Sequence, residues 1–216
     1  MTMTQGAVLV NLTMSYIKCS SKNQSMGGNL NRRNDIIILN YSTLDMSSSS
    51  ITRDTALLNI GDEAPEFELA DINMKMHKLR DYSGKKRILS FFPAAESPVC
   101  TTEMCSFRDS LNEFNKYGAQ VIGISIDGPF ANKIFTEHHH LNFPLLSDYK
   151  RETIQKYGIV MKDLGPLKDY NAAKRSIFIV DENGKIEYKW VSDNPLIEPN
   201  QQEIKDFLRK GNKIEK

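Results

Sequence analysis

Two of the three cysteines in this sequence, Cys100 and Cys105, are five residues apart and follow an apolar run. Ser97 and Pro98 precede them, and this pair is typical of a helix start, with serine as the N-cap and proline in the first helical position. Cys100 then falls in the first turn, where backbone N–H groups lack partners and the helix dipole is positive. A free thiol is mostly protonated at neutral pH. The first turn of a helix instead favours the negatively charged form of the sulfur, the reactive thiolate. The pattern therefore predicts a nucleophilic sulfur at Cys100.

The segments around the cysteines alternate between strand and helix patterns. The apolar run 86–92 is bounded by charge and proline, which predicts a central strand buried on both faces. Apolar residues then recur every three or four positions up to Gly118, which predicts a helix. A second strand and a second helix are predicted at 119–127 and 129–141. This βαβα order favours parallel strands with helices on the faces of the sheet.

The remaining patterns complete the predicted fold. Residues 67–79 predict two short strands, and 151–158 a short helix that ends at glycine. Residues 175–191 predict a hairpin, whose Asn-Gly pair suits a tight primed turn. Residues 200–210 predict a closing amphipathic helix. The element order is that of an α/β thioredoxin-like fold, with a central mixed β-sheet flanked by helices.

Residues 1–56 precede the predicted domain, and within them residues 19–56 are rich in serine and asparagine. Such a segment buries too little apolar surface to offset its ordering entropy, so we expect a loosely ordered extension before a domain at 57–216. The weakly apolar stretch 7–17 lacks the preceding basic residue and the cleavage site of a signal peptide. Translation that begins at Met46, which would make residues 1–45 an artefact of the reading frame, stays open.

The composition narrows the possible function classes. The chain has 216 residues and a formal net charge of only +1, so the sequence predicts neither a nucleic-acid partner nor a membrane partner. No apolar run reaches the length of about 18 residues that a membrane-spanning helix needs. Three cysteines are too few for a secreted disulfide framework, which favours a reducing, cytoplasmic compartment. Function is therefore expected to depend on one localised site.

The motif formed by Pro93, Ser97 and Cys100 resembles the active-site motif of the peroxiredoxins, in which threonine usually stands at the serine position. The resemblance covers about residues 60–210 and includes Arg175, which matches the active-site arginine of the family. It implies a thiol-dependent peroxidase in which Cys100 reduces hydrogen peroxide or an organic hydroperoxide and becomes a sulfenic acid. It also implies that Ser97 and Arg175 hold the peroxide, that Pro93 shields the site, and that no cofactor or metal is needed.

The five-residue cysteine spacing resembles the bacterioferritin-comigratory, peroxiredoxin Q-like branch, in which the second cysteine, here Cys105, resolves the sulfenic acid as an intramolecular disulfide. In an ideal helix the two α-carbons are about 8.6 Å apart, whereas a disulfide tolerates at most about 7 Å. We therefore expect at least the first helical turn to unwind after oxidation. A buried, inert Cys105 with reduction by an outside thiol stays open, as does resolution by Cys19.

The resemblance also implies partners for the protein. The family implies a thioredoxin- or glutaredoxin-like reductant, and its members occur as monomers, dimers and decamers, so homo-oligomers are possible. An alternative function is redox sensing or holdase activity, in which oxidation of Cys100 changes a binding surface.

Glu96 would oppose thiolate formation if it faced inward, so we expect it to face outward. The histidines at 138–140 would point about 100° apart on a helix, so we expect them to share no metal.

Overall fold

The computed structural model describes residues 57–211, so Cys19, the predicted extension at 1–56 and residues 212–216 lie outside the described residues. The strands are β1 (Glu68–Asp71), β2 (Met76–Lys78), β3 (Lys86–Phe91), β4 (Ala119–Ser125), β5 (Leu145–Ser147), β6 (Val160–Met161), β7 (Ala172–Ala173), β8 (Arg175–Val180) and β9 (Ile186–Ser192). The helices are α1 (Pro98–Lys116), α2 (Pro129–His138), α3 (Glu152–Lys156) and α4 (Gln201–Gly211), with a short 3-10 helix at Leu79–Tyr82.

Seven of these strands form one mixed sheet in the order β2-β1-β5-β4-β3-β8-β9. Strands β3, β4 and β5 run parallel, while β8 pairs antiparallel with both β3 and β9. Strand β3 is central and almost wholly buried, as its apolar run predicts. The predicted mixed sheet flanked by helices is confirmed, and it brings the start of β8 beside the end of β3.

The apolar core lies on both faces of the sheet because neighbouring side chains along a strand point to opposite sides. On β3, Ile88 joins a buried cluster with α1 and α4, whereas Leu89 joins the other cluster, which includes Ile154 of α3. Helices α1 and α4 are in contact with each other. Helix α1 is thereby fixed over the centre of the sheet. Among residues 57–211, no helix has the length and apolar character needed to span a bilayer.

The predicted start of α1 is confirmed, whereas the predicted end of α2 is wrong. Ser97 is the N-cap of α1 and Pro98 opens the helix, while Gly118 ends the segment in the left-handed region with a φ of 68°. Helix α2 ends at His138 rather than at 141. His140 has a φ of 51°, and this left-handed conformation interrupts the helix. The three histidines therefore do not share one helical geometry.

The β8–β9 hairpin is confirmed, but its predicted primed turn is wrong. A type I′ turn needs two adjacent residues with positive φ, and here Gly184 has a φ of 94° while Asn183 does not. The Asp181 carboxylate accepts the backbone N–H groups of Asn183 and Lys185 at 3.0 and 2.7 Å. The strands pair at Val180 and Ile186, so the connection has a wider loop than the Asn-Gly pair suggested.

Candidate active site

Cys100 lies in the first turn of α1, directly behind the loop that leaves the central strand β3. Its side chain is 0% exposed and packs in the cluster that includes Phe92 and Met104. The first turn presents unpaired N–H groups and the positive end of the helix dipole, both of which favour a negative sulfur. Burial alone would disfavour that charge, so the thiolate requires a cation beside it.

Arg175 supplies that cation. It is the first residue of β8 and is 1% exposed, and its Nη2 lies 3.3 Å from the Cys100 Sγ. The same nitrogen donates to the Pro195 carbonyl at 2.7 Å, which fixes the guanidinium. Burial tends to lower the pKa of Arg175, but the negative charge of Glu103 and of the sulfur raises it above its ordinary value. The structure thus brings together two predicted residues that are 75 positions apart in the sequence.

Glu103 is a site residue that the sequence analysis missed. It is buried one turn after Cys100, and its carboxylate accepts hydrogen bonds from Arg175 Nη1 and from Ser90 Oγ, the latter at 2.9 Å. Burial raises the pKa of Glu103 to about 7, against the opposing effect of Arg175, which favours the charged form. We take Arg175 as the permanently charged member of this pair. The three-residue spacing after Cys100 was the signal that could have found Glu103, because it places both side chains on one face of the helix.

Ser97 and Pro93 line a cavity of about 250 Å³ beside this group, and Arg175 forms part of its wall. Pro93 is buried, as the shielding role implied by the resemblance requires. Ser97 occupies the N-cap position, but its hydroxyl donates to the Ala94 carbonyl at 3.0 Å instead of capping the helix. The remaining lining is mainly apolar and consists of Ala94, Pro98, Val99, Leu164, Pro195 and Leu196.

Cys105 lies on the same unbroken helix as Cys100, and both are free thiols. Cys105 is half-buried, so it is more accessible than the fully buried Cys100. Because α1 is continuous from Pro98, ideal helical geometry separates the two α-carbons by about 8.6 Å. This separation is longer than the roughly 7 Å that a disulfide tolerates between α-carbons.

Glu96 is exposed, as expected, and its carboxylate faces the end of α2. Its Oε1 lies 3.2 Å from His138 Nδ1, and its Oε2 lies 3.0 Å from His139 Nε2. The expectation that the histidines point apart assumed one continuous helix, which instead ends at His138. The structure therefore joins Glu96 to two histidines, while His140 lies outside this group of three.

Comparison with known proteins places this chain in a family. A family model described as AhpC/TSA family matches residues 60–189. Peroxiredoxin Bcp of Escherichia coli strain K12 is 37% identical over 131 residues, which are 61% of this chain and 84% of that protein. A relative from Mycobacterium tuberculosis strain H37Rv, also named as a peroxiredoxin, is 42% identical over 132 residues, with the same two coverages of 61% and 84%.

Solved structures agree with this placement. The crystal structure of peroxidoxin BcpB from Mycobacterium tuberculosis matches with a TM-score of 0.63 and 30% identity, covering 71% of this chain and 97% of that chain. The structure of Xylella fastidiosa PrxQ matches with a TM-score of 0.65 over 73% of this chain and 99% of that one. At 22% identity, the latter supports the fold alone.

The fold and the buried sulfur beside a guanidinium define a thiol enzyme of the thioredoxin-like class. Within this class, the chain belongs to the AhpC/TSA family. It is a peroxiredoxin, a thiol-dependent peroxidase. These relatives give no support to the redox-sensing or holdase alternative.

Proposed function

We propose that Cys100 is the peroxidatic cysteine, and that Ser97, Arg175 and Pro93 form its peroxide site. The observation that carries this assignment is the 3.3 Å contact between Arg175 Nη2 and Cys100 Sγ at the start of α1. The guanidinium and the helix dipole both favour a thiolate, which is the nucleophilic form of cysteine. Glu103 positions Arg175 by accepting a hydrogen bond from its other terminal nitrogen.

The reaction is a displacement at oxygen. The Cys100 thiolate attacks one peroxide oxygen, so that an S–O bond forms as the O–O bond breaks. The sulfur is oxidised to a sulfenic acid, and the leaving oxygen takes a proton and departs as water or an alcohol. Negative charge moves onto the leaving oxygen, and a fixed Arg175 stabilises that charge without reorganisation. The Ser97 hydroxyl donates its own hydrogen to the Ala94 carbonyl, so its oxygen is free to accept a hydrogen bond from the bound peroxide.

The cavity lined by Ser97 and Arg175 supports organic hydroperoxides as substrates. Its wall combines the Arg175 guanidinium with apolar surface from Leu164 and Leu196. A peroxide group can contact the guanidinium while an attached hydrocarbon lies against the leucines, because apolar area gains free energy when it leaves water. Hydrogen peroxide uses only the polar part of this cavity. We therefore assign the leucines to binding of the organic substituent.

Cys105 is the proposed resolving cysteine. Once Cys100 is a sulfenic acid, the thiolate of Cys105 attacks its sulfur, forming an S–S bond and releasing the oxygen as water. The half-buried position of Cys105 and its place on the same helix support this role. A thioredoxin- or glutaredoxin-like protein would then reduce the disulfide. Such a cycle, together with the two free thiols, supports the reducing, cytoplasmic location that the composition favours.

Turnover assays test these roles. The reduced protein is mixed with hydrogen peroxide or cumene hydroperoxide, and consumption is followed with either dithiothreitol or thioredoxin as the reductant. We expect many cycles for the native sequence and none for Cys100→Ser. Cys105→Ser should retain turnover with dithiothreitol and lose it with thioredoxin, whereas Cys19→Ser should behave like the native sequence. Undiminished turnover by Cys100→Ser would refute the assignment.

A further inference from the structure

The side chains of Glu96, His138 and His139 converge at the surface, next to the active-site loop. One ligand atom from each, a carboxylate oxygen and two imidazole nitrogens, all lie within 4.8 Å of one another. Glu96 directly precedes the N-cap of α1, while the two histidines occupy the end of α2. We propose that these three residues form a binding site for a divalent transition metal, with zinc as the best-matched ion.

The distances between the side chains fit this proposal. The carboxylate oxygens of Glu96 lie 3.2 Å from His138 Nδ1 and 3.0 Å from His139 Nε2. Zinc bound at about 2.0–2.1 Å in tetrahedral geometry separates its ligand atoms by about 3.3 Å. The two oxygen–nitrogen distances are already close to this value. His138 is the most exposed of the three side chains and can rotate to close the group around an ion.

The backbone around the ligands is held in place. The His139 ring packs edge-on against the Phe135 ring, with centroids 5.1 Å apart. The backbone carbonyl of His139 accepts a hydrogen bond from Arg108 at 2.6 Å. On the other side, the N–H of Ala95 donates to Asp127 at 2.8 Å, which fixes the loop just before Glu96. Supporting contacts of this kind orient ligands and increase metal affinity. These contacts therefore hold His139 and Glu96 in place before any ion binds.

The donor set selects the class of ion. Neutral imidazole nitrogens suit zinc, copper, nickel and iron, whereas calcium and magnesium prefer sites built wholly from oxygen. Three protein ligands leave a fourth tetrahedral position for water, since the site is at the surface. Arg108 is the nearby cation, and its Nε is paired with Asp109 at 2.8 Å, which offsets its charge. Two histidines and one carboxylate therefore favour zinc over the hard divalent cations.

Glu96 has a backbone feature that also points to this group. It lies in the left-handed region with a φ of 59°, a conformation that is unfavourable for a residue with a side chain. The same conformation directs its carboxylate toward both histidines at the end of α2. A bound cation would be coordinated by one or both oxygens of the Glu96 carboxylate. Each histidine would coordinate it through the lone pair of a neutral imidazole nitrogen.

Zinc titration of the full-length protein tests the proposal. All three cysteines are first changed to serine so that thiolates cannot bind the metal, and zinc affinity is measured by competition with a chromophoric chelator. We expect one zinc per chain, and at least about tenfold weaker binding for Glu96→Gln and for His138→Ala. The matched control is His140→Asn, which changes the adjacent histidine and tolerates its positive φ, and it should bind zinc as the parent does. A tenfold excess of magnesium should not compete.

A second measurement identifies the ligand atoms. Cobalt bound in place of zinc in the same cysteine-free protein should give visible absorption bands of a nitrogen and oxygen site, and His138→Ala should remove them. Absence of zinc binding, or equal binding by the parent and both ligand variants, would overturn the proposal and leave an ion-pair cluster. Because this protein lacks Cys100, the result does not depend on the peroxidase assignment. Circular dichroism establishes that each variant is folded.

Discussion

At the scale of single residues, the chemistry depends on how Arg175 is held against Cys100. Its guanidinium contacts the sulfur, the Pro195 carbonyl and the Glu103 carboxylate, so little reorganisation is needed when a peroxide binds. An exposed arginine could supply the same charge, but water would screen it. Burial of the whole group therefore strengthens the electrostatic effect on the reacting sulfur.

Removal of the guanidinium should slow the reaction of Cys100 with peroxide. Loss of one preorganised donor from a reacting centre typically costs about a hundredfold to a thousandfold in rate, so we expect a fall of that order for Arg175→Met. The measurement is the second-order rate constant for oxidation of the reduced protein by hydrogen peroxide in stopped flow. Arg175→Met combined with Glu103→Gln avoids a buried unpaired carboxylate and should be equally slow.

The matched control for this change is Arg209→Met, which removes an arginine paired with Asp206 on the surface of α4. It should oxidise at the native rate. If Arg175→Met and Arg209→Met reacted equally fast while both were folded, Arg175 would have no role in stabilising the reaction.

Glu103 should make stability depend on pH in a defined direction. Its pKa in the folded protein is about 7, above the ordinary value of 4.5, because burial disfavours its charge. Because the pKa of the Glu103 carboxyl is higher in the folded than in the unfolded protein, its protonated form stabilises the fold. This stability is fully present below about pH 4.5 and is lost as the pH rises through about 7. The difference in unfolding free energy between the native sequence and Glu103→Gln should therefore shrink from pH 4.5 to 8. Urea denaturation across this range measures it.

Glu113→Gln is the control for the pH dependence because Glu113 lies on the same helix but is only partly buried and is paired with Lys205. The hydrogen bond from Lys205 lowers the pKa of Glu113. The stability that Glu113 contributes to the fold is therefore lost as the pH falls, which is the opposite direction. Identical pH profiles for the differences at Glu103 and Glu113 would show that burial of Glu103 has no such effect.

At the scale of elements, α1 must change shape if Cys105 resolves the oxidised Cys100. The helix is continuous from Pro98 to Lys116, and ideal helical geometry separates the α-carbons of Cys100 and Cys105 too widely for a disulfide. We expect peroxide oxidation of the native protein to increase amide hydrogen exchange in the first turns of α1. In Cys105→Ser, oxidation should leave that exchange low. A Cys100–Cys105 disulfide formed with unchanged protection would contradict this mechanism.

The packing of α1 on the sheet depends on a glycine in β4. A Cβ at Gly123 would lie 2.4 Å from Leu145 Cδ2 and 3.5 Å from the Met104 sulfur, in a fully packed region. Gly123→Ala should therefore lower the free energy of unfolding by about 1–3 kcal/mol, because an overpacked core must shift. Thermal unfolding measures the change. Gly211→Ala, where the nearest atom is at an ordinary 3.5 Å, is the control and should be neutral.

Element types were predictable from the sequence, but their ends were less so. The buried run of β3 and the Ser97–Pro98 start of α1 are local signals, and both predictions are confirmed. The end of α2 depends on the left-handed conformation of His140, which no glycine announces. The turn after β8 depends on the Asp181 side chain, which competes with the Asn-Gly preference.

At the scale of the whole molecule, the fold assembles the site from distant segments. The short motif around Cys100 and the family resemblance predicted Cys100 and Arg175 because both lie in recognisable sequence contexts. The spacing after Cys100 could indicate that Glu103 shares its helix face, but not that Glu103 pairs with Arg175. That pairing and the contact of Arg175 with the Pro195 carbonyl depend on how β8, α1 and the loop after β9 meet. The group of Glu96 and the histidines is likewise a tertiary feature, formed across 42 positions.

The catalytic unit should be separable from the N-terminal segment. The family match covers residues 60–189, and the residues of the proposed peroxide site lie between Pro93 and Leu196, so we expect the site to work without residues 1–56. A chain that begins at Leu57 should keep the peroxide rate constant of the full chain within about twofold, since the site contacts remain. A large loss of rate on truncation, reproduced by Cys19→Ser in the full chain, would instead identify Cys19 as a functional thiol.

The central claim is that the buried sulfur of Cys100 reacts with peroxide far faster than an ordinary thiol does. Its most direct test is rapid mixing of the reduced Cys19→Ser, Cys105→Ser protein with hydrogen peroxide, followed by trapping with dimedone and peptide mass spectrometry. We predict one label per chain on Cys100, formed at least about a thousandfold faster than the reaction of free cysteine. Labelling at the rate of free cysteine, or no label on Cys100, would contradict this account.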